Sequence, residues 1–137
     1  MRSRCIQTLF ASCVLLSAGF ASAETPAEFL DRYQAEQRRS SPSFAASTER
    51  GEQFFNATHG NDWSCSSCHT KNPANRGKHA TTGKSIDPMA PAVNPERLAS
   101  MKSVEKWFTR NCKDVLGRVC SPAEKADVIA YLISVAR

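Results

Sequence analysis

The sequence predicts an all-α fold, and three observations carry that prediction. The segments Thr25-Pro26-Ala27-Glu28 and Ser121-Pro122-Ala123-Glu124 repeat one helix-start signature: a hydroxyl cap, a proline at the first helical position and a glutamate three residues after the cap. Apolar residues recur at helical spacing, and no convincing alternating strand pattern is present. Cys65-Ser66-Ser67-Cys68-His69 has the spacing of a single tight helical turn.

Taken in order, the first helix is expected from Pro26 to about Arg39, with Phe29, Leu30 and Tyr33 on its apolar side. Ser40-Ser41-Pro42-Ser43 breaks it. A second helix is expected from Thr48 to about Thr58, carrying Phe54 and Phe55. Gly51 costs about 1 kcal/mol in a helix interior, so its presence predicts close helix packing. Residues Thr70 to Pro95 are rich in Pro, Gly, Asn and Lys and read as a long loop. A third helix is expected over Pro95 to Asn111, interrupted near Ser100, with Val104, Trp107 and Phe108 as its stripe. The last helix starts at Pro122 and runs to about Val135, with Val128, Ile129, Tyr131, Leu132 and Val135 facing inward.

The Cys-x-x-Cys-His motif carries the chemistry. Two cysteines two residues apart can present both sulfurs to one porphyrin edge and form thioethers to it. The adjoining histidine then reaches the iron as its proximal ligand. A zinc site needs a second Cys/His pair at ligand spacing, and Cys112 and Cys120 are spaced wrongly for that. A thioredoxin-like dithiol should sit in a βαβ pattern, which is not visible. The motif therefore predicts one covalent haem c on Cys65 and Cys68, with His69 on the iron.

The first 23 residues read as a secretory leader: Arg2 and Arg4, an apolar run from Ile6 to Phe20, then Ala21-Ser22-Ala23 as a cleavage site. The run is too short to span a membrane, and no later stretch qualifies. Removing residues 1–23 from 137 leaves 114, enough for one domain spanning 24–137. Export to the periplasm is expected, an oxidising compartment. The charge of +5 falls to +3 with the two leader arginines, and two haem propionates bring it to about +1. No basic run exceeds two residues, which argues against nucleic acid as a partner.

Opposite His69, the residues themselves offer two kinds of candidate for the iron's sixth position, a methionine and histidines. Met89, in Pro88-Met89-Ala90-Pro91, offers a thioether that would make a closed electron-transfer site. His59 and His79 would make a bis-histidine site, but both read more simply as surface histidines. Cys112 and Cys120 form an even pair and read as a disulfide closing a short loop, a staple of roughly 2.5 kcal/mol.

Three segments carry a more specific resemblance: Gly83-Lys84-Ser85-Ile86-Asp87-Pro88; Val104 to Cys112, Val-Glu-Lys-Trp-Phe-Thr-Arg-Asn-Cys; and Cys120-Ser121-Pro122-Ala123-Glu124-Lys125-Ala126-Asp127. Together they resemble the sphaeroides haem protein family, small oxygen-binding bacterial cytochromes c, over nearly the whole mature chain. The resemblance implies a class I-like cytochrome c fold. It also implies that the asparagine before the first disulfide cysteine, Asn111, is a displaceable sixth ligand. A dihaem c-type cytochrome is the implied electron donor, and oxygen or nitric oxide the implied ligand. Met89 departs from the family pattern, and Lys113 after Cys112 adds charge near the expected distal mouth.

The expected protein is thus a periplasmic monohaem cytochrome that accepts electrons and binds a diatomic ligand after Asn111 leaves. Its rival is an electron carrier ligated by His69 and Met89. Trp107 and Phe108 are expected in the haem pocket, and Phe54 or Phe55 against Tyr131 and Leu132. Turnover of the bound ligand would need a general acid, for which the distal sequence offers only Arg110.

Overall fold

Both proline-led helix starts close as capping boxes. The computed structural model describes residues 24–136, so the leader reading lies outside it. Helix α1 spans Pro26–Arg38, and its cap Thr25 receives the Glu28 N–H while its own N–H donates to the Glu28 carboxylate at 2.6 Å. Helix α2 spans Thr48–Asn56, capped by Ser47, and stops two residues short of expectation because Ala57 turns to an extended conformation. Helix α3 is the motif itself, Cys65–His69.

The long loop contains a two-stranded antiparallel ladder, β1 (Gly77–Lys78) with β2 (Ser85–Ile86), which the sequence reading did not contain. Strands of two residues carry no periodicity to detect. The expected third helix is two elements. A 3-10 turn covers Pro95–Leu98, and α4 runs Met101–Leu116 from its cap Ser100. Helix α4 continues past Asn111 because nothing before Gly117 breaks it; Gly117 ends it in the left-handed conformation, φ +70°. Helix α5 spans Pro122–Ser134.

Helices α1 and α2 both pack on α5, and this sets the frame. At the α2–α5 crossing a Cβ on Gly51 would run into the backbone carbonyl of Asp127. That close approach explains the glycine. Asp127 is buried there, accepting from the Ser47 N–H at 2.7 Å and from Arg50 Nε at 2.8 Å. Phe55 meets Tyr131 with ring centroids 5.6 Å apart, and Leu132 joins the same cluster, as expected. A second cluster around Phe29, Tyr33, Val104 and Ile129 joins α1, α4 and α5. Its polar edge is a joint: Tyr33 donates to Glu105 at 2.7 Å, and Lys125 Nζ donates to the same carboxylate at 2.8 Å. Lys125 also lies over the Tyr33 ring, 4.9 Å from its centroid. Among the described residues no helix is long and apolar enough to cross a membrane.

Candidate haem site

The packed helices leave a cavity of about 820 Å³. That is within the range of roughly 300–1,000 Å³ usual for small-molecule and cofactor sites. Its walls come from α2, α3, the 79–89 segment, the 3-10 turn, α4 and α5. They are largely apolar, with Phe55, Ile86, Leu98, Phe108, Val128 and Leu132 among them.

Helix α3 delivers Cys65, Cys68 and His69 to this cavity together. Ser64 is its cap, accepting from the Ser67 N–H, and the Ser67 hydroxyl returns the bond by accepting from the Ser64 N–H at 3.0 Å. Ser67, between the cysteines, therefore helps cap the turn as well as space it. Behind it, Gly77 lies so close to Cys68 that a Cβ would enter the Cys68 carbonyl. The Ala80 N–H points at Cys68 Sγ, 3.3 Å away.

The electrostatics of the motif fit thioether and iron chemistry rather than an exposed dithiol. Burial pushes the Cys65 thiol up to about 11. A low-pKa redox thiolate would need the opposite environment. His69 is held at about 4, first by burial and then by the charges of Arg97 and His79, so its ring is neutral at pH 7. Its Nδ1 is buried and makes no hydrogen bond, and Phe55 lies 6.4 Å from the ring. Among the described residues no group of three or more His, Cys, Asp or Glu side chains is placed to hold a metal ion by itself. Two sulfurs and one neutral imidazole on a single turn, beside an apolar cavity of this size, fit a c-type haem.

Trp107, Phe108, Asn111 and Met89 all line the cavity. Trp107 is 40% exposed and sits at its mouth; Phe108 lies deeper, edge-on to Tyr33 at 6.0 Å. Asn111 lies within α4 rather than at its end, and its side chain makes no hydrogen bond among the described residues. The next residue, Cys112, meets Cys120 with Cα atoms 5.6 Å apart, the geometry of a disulfide between α4 and the start of α5. Met89 packs on the cluster that contains Phe55, and its N–H donates to the Pro73 carbonyl at 2.8 Å. His79 lines the cavity; His59 does not, and its Nε2 faces the Phe54 carbonyl at 2.9 Å. Lys113 is exposed and outside the lining, whereas Arg110 is part of it. The sequence reading missed Gly77 and Arg97. Gly77 carried a signal, a glycine eight residues after His69 in a segment without helical pattern; Arg97 carried none.

The fold and site define a class I-like cytochrome c. The family model described as a domain of unknown function, DUF1924, matches residues 42–132. Cytochrome c'' of Methylophilus methylotrophus is 44% identical over 127 residues, covering 88% of each chain. The cytochrome c-type protein SHP of Cereibacter sphaeroides is 37% identical over 128 residues, covering 90% of this chain and 95% of that one. The crystal structure of oxidised cytochrome c'' superposes with a TM-score of 0.75 at 41% identity, over 82% of this chain and 95% of that one. Oxidised SHP, described as an oxygen-binding cytochrome c, gives a TM-score of 0.71 at 37% identity, over 81% and 97%. A solution structure of the same cytochrome c'', described as giving insight into the structural basis of haem-ligand detachment, superposes with a TM-score of 0.72. The chain belongs to the DUF1924 family and to the group of haem cytochromes that contains cytochrome c'' and SHP.

Proposed function

We propose that this chain is a periplasmic monohaem c-type cytochrome that accepts electrons and binds diatomic ligands. Cys65 and Cys68 hold the haem through thioethers, His69 is the proximal ligand and Asn111 is the displaceable distal one. When bound, the haem would supply an iron that carries one electron and takes a diatomic ligand such as oxygen or nitric oxide. The observation that carries this reading is the Asn111 amide: it lines the cavity that His69 also lines, and it has no hydrogen-bond partner among the described residues. An amide oxygen is a hard donor, suited to ferric iron and poorly held by ferrous iron. The released side chain stays close, because the Cys112–Cys120 disulfide ties its helix to α5. The descriptions of SHP as oxygen-binding and of cytochrome c'' as detaching a haem ligand support the same reading. A dihaem c-type cytochrome is the proposed donor, following the family resemblance.

The test is spectroscopic. Ferric protein is expected to be high-spin, and ferrous protein to react rapidly with carbon monoxide and nitric oxide. Asn111→Ala should change the ferric spectrum, and Met89→Leu should leave it alone. A methionine–iron charge-transfer band that disappears in Met89→Leu and survives in Asn111→Ala would overturn the reading in favour of a closed electron carrier.

A further inference from the structure

An arginine set into a cavity wall needs something to answer its charge. Arg97 is half-buried on the 3-10 turn and lines the cavity. Its Nε donates to the Pro88 carbonyl at 3.3 Å and its Nη2 to the Asp87 carbonyl at 2.9 Å. Both partners are neutral, and Nη1 makes no hydrogen bond among the described residues. The acid nearest to it in these contacts, the Asp87 carboxylate, is already engaged by Arg76 at 2.7 Å. Around the same cavity the charged side chains are Lys84, Arg97 and Arg110 against Asp114 alone, an excess of positive charge. His79 also lines it, and its Nδ1 accepts from the Thr82 N–H at 3.2 Å. In the neutral ring that places the hydrogen on Nε2, a donor.

These observations describe half of an anion site whose other half belongs to the occupant. We propose that Arg97 anchors one propionate carboxylate of the haem, with the His79 Nε2–H as an auxiliary donor. The inference rests on the haem reading above. Two backbone carbonyls fix the guanidinium, so its remaining N–H groups are presented with little side-chain entropy left to lose. The pair would also hold the haem plane still while its distal ligand exchanges.

The propionates can be read directly. Wild-type holoprotein grown on carbon-13-labelled 5-aminolevulinate carries label in both propionate carboxyls, and NMR follows each through a pH titration. One is expected to titrate well below the ordinary carboxyl value of about 4.3. Arg97→Gln should raise that value by about 1–3 pH units, since a neighbouring guanidinium depresses a carboxylate by that much. Lys84→Gln, an equal loss of charge at the rim, should not. Two propionates that both titrate near the ordinary value in the wild type would overturn the proposal, even if Arg97→Gln fails to load haem. So would an unchanged titration in a loaded Arg97→Gln. Absence of covalent haem in the wild type would instead overturn the haem reading itself.

Discussion

At the scale of single residues, the site depends as much on small, unreactive positions as on the ligands. Gly77 is the clearest. Its backbone backs α3 so closely that a methyl group there must displace the Cys68 carbonyl, which belongs to the motif. Backbone cannot step aside as a side chain can. Gly77→Ala is therefore expected to cost about 1–3 kcal/mol, the usual cost of overpacking. It should also lower the yield of protein with covalent haem, because the two sulfurs would no longer be presented together. Urea unfolding and a haem stain would check this; full loading with unchanged stability would refute it. Arg97 and Ser64 belong to the same group of residues. Neither is chemically conspicuous, yet one brings charge to the cavity and the other caps the Cys65–His69 turn. A sequence announces cysteines and histidines by type and spacing, whereas the value of a glycine or a lone arginine exists only once the neighbours are in place.

At the scale of elements, two joints lend themselves to measurement. The Cys112–Cys120 bond ties α4 to α5. Reducing it is expected to cost roughly 2.5 kcal/mol by loop entropy and to speed ligand binding, because α4 also carries Asn111. Stopped-flow carbon monoxide binding with and without reductant for the disulfide would show it; unchanged stability and rate would remove the bridge from the argument. The Tyr33–Glu105–Lys125 joint predicts a pH dependence. Burial alone would raise Glu105, but its bonds from Lys125 and Tyr33 outweigh that and hold it below its ordinary 4.5. Glu124 is likewise lowered, chiefly by its bond from Arg118. A carboxylate with a depressed folded value binds fewer protons than the unfolded chain does, so its stabilisation is present above about 4.5 and is lost as pH falls below. Urea midpoints should drop below that pH, and less steeply in Glu105→Gln and Glu124→Gln; His69, common to all three proteins, cancels. Parallel curves would contradict the assignment. Both joints also show where the sequence was legible. The capping boxes placed the starts of α1 and α5 to the residue, because a cap is a local signal, and the apolar stripes gave Phe29, Tyr33 and Ile129 correctly. The expected end at Asn111 falls short, because the residues after it continue the helix and Gly117 is its physical terminator. The Arg50–Asp127 pair was not legible, since its partners lie 77 residues apart and nothing local marks a buried aspartate.

At the scale of the whole molecule, the cavity governs the stability of the fold. An apolar-walled cavity near 820 Å³ leaves its lining side chains without the contacts that close packing supplies. Domains of this size have only about 5–15 kcal/mol of net stability. The helices are therefore not expected to hold their native packing around the cavity without an occupant. The chain without haem is expected to collapse into a helical state with mobile side chains. The frame of α1, α2 and α5 should persist best, since it packs directly helix on helix through Phe29, Phe55, Ile129 and Tyr131. Helix α4 should loosen most, because its inner face meets the cavity at Val104, Phe108, Asn111 and Val115. The double variant Cys65→Ala/Cys68→Ala, freed of haem, tests this. Far-UV circular dichroism should keep most of its helical signal, near-UV signals from Trp63 and Trp107 should fade, and urea unfolding should lose its cooperativity. Amide exchange should be fast along α4 and slower along α5. A sharp unfolding transition with native near-UV signals would mean that the fold closes the cavity by itself, and that the haem is a guest rather than part of the core.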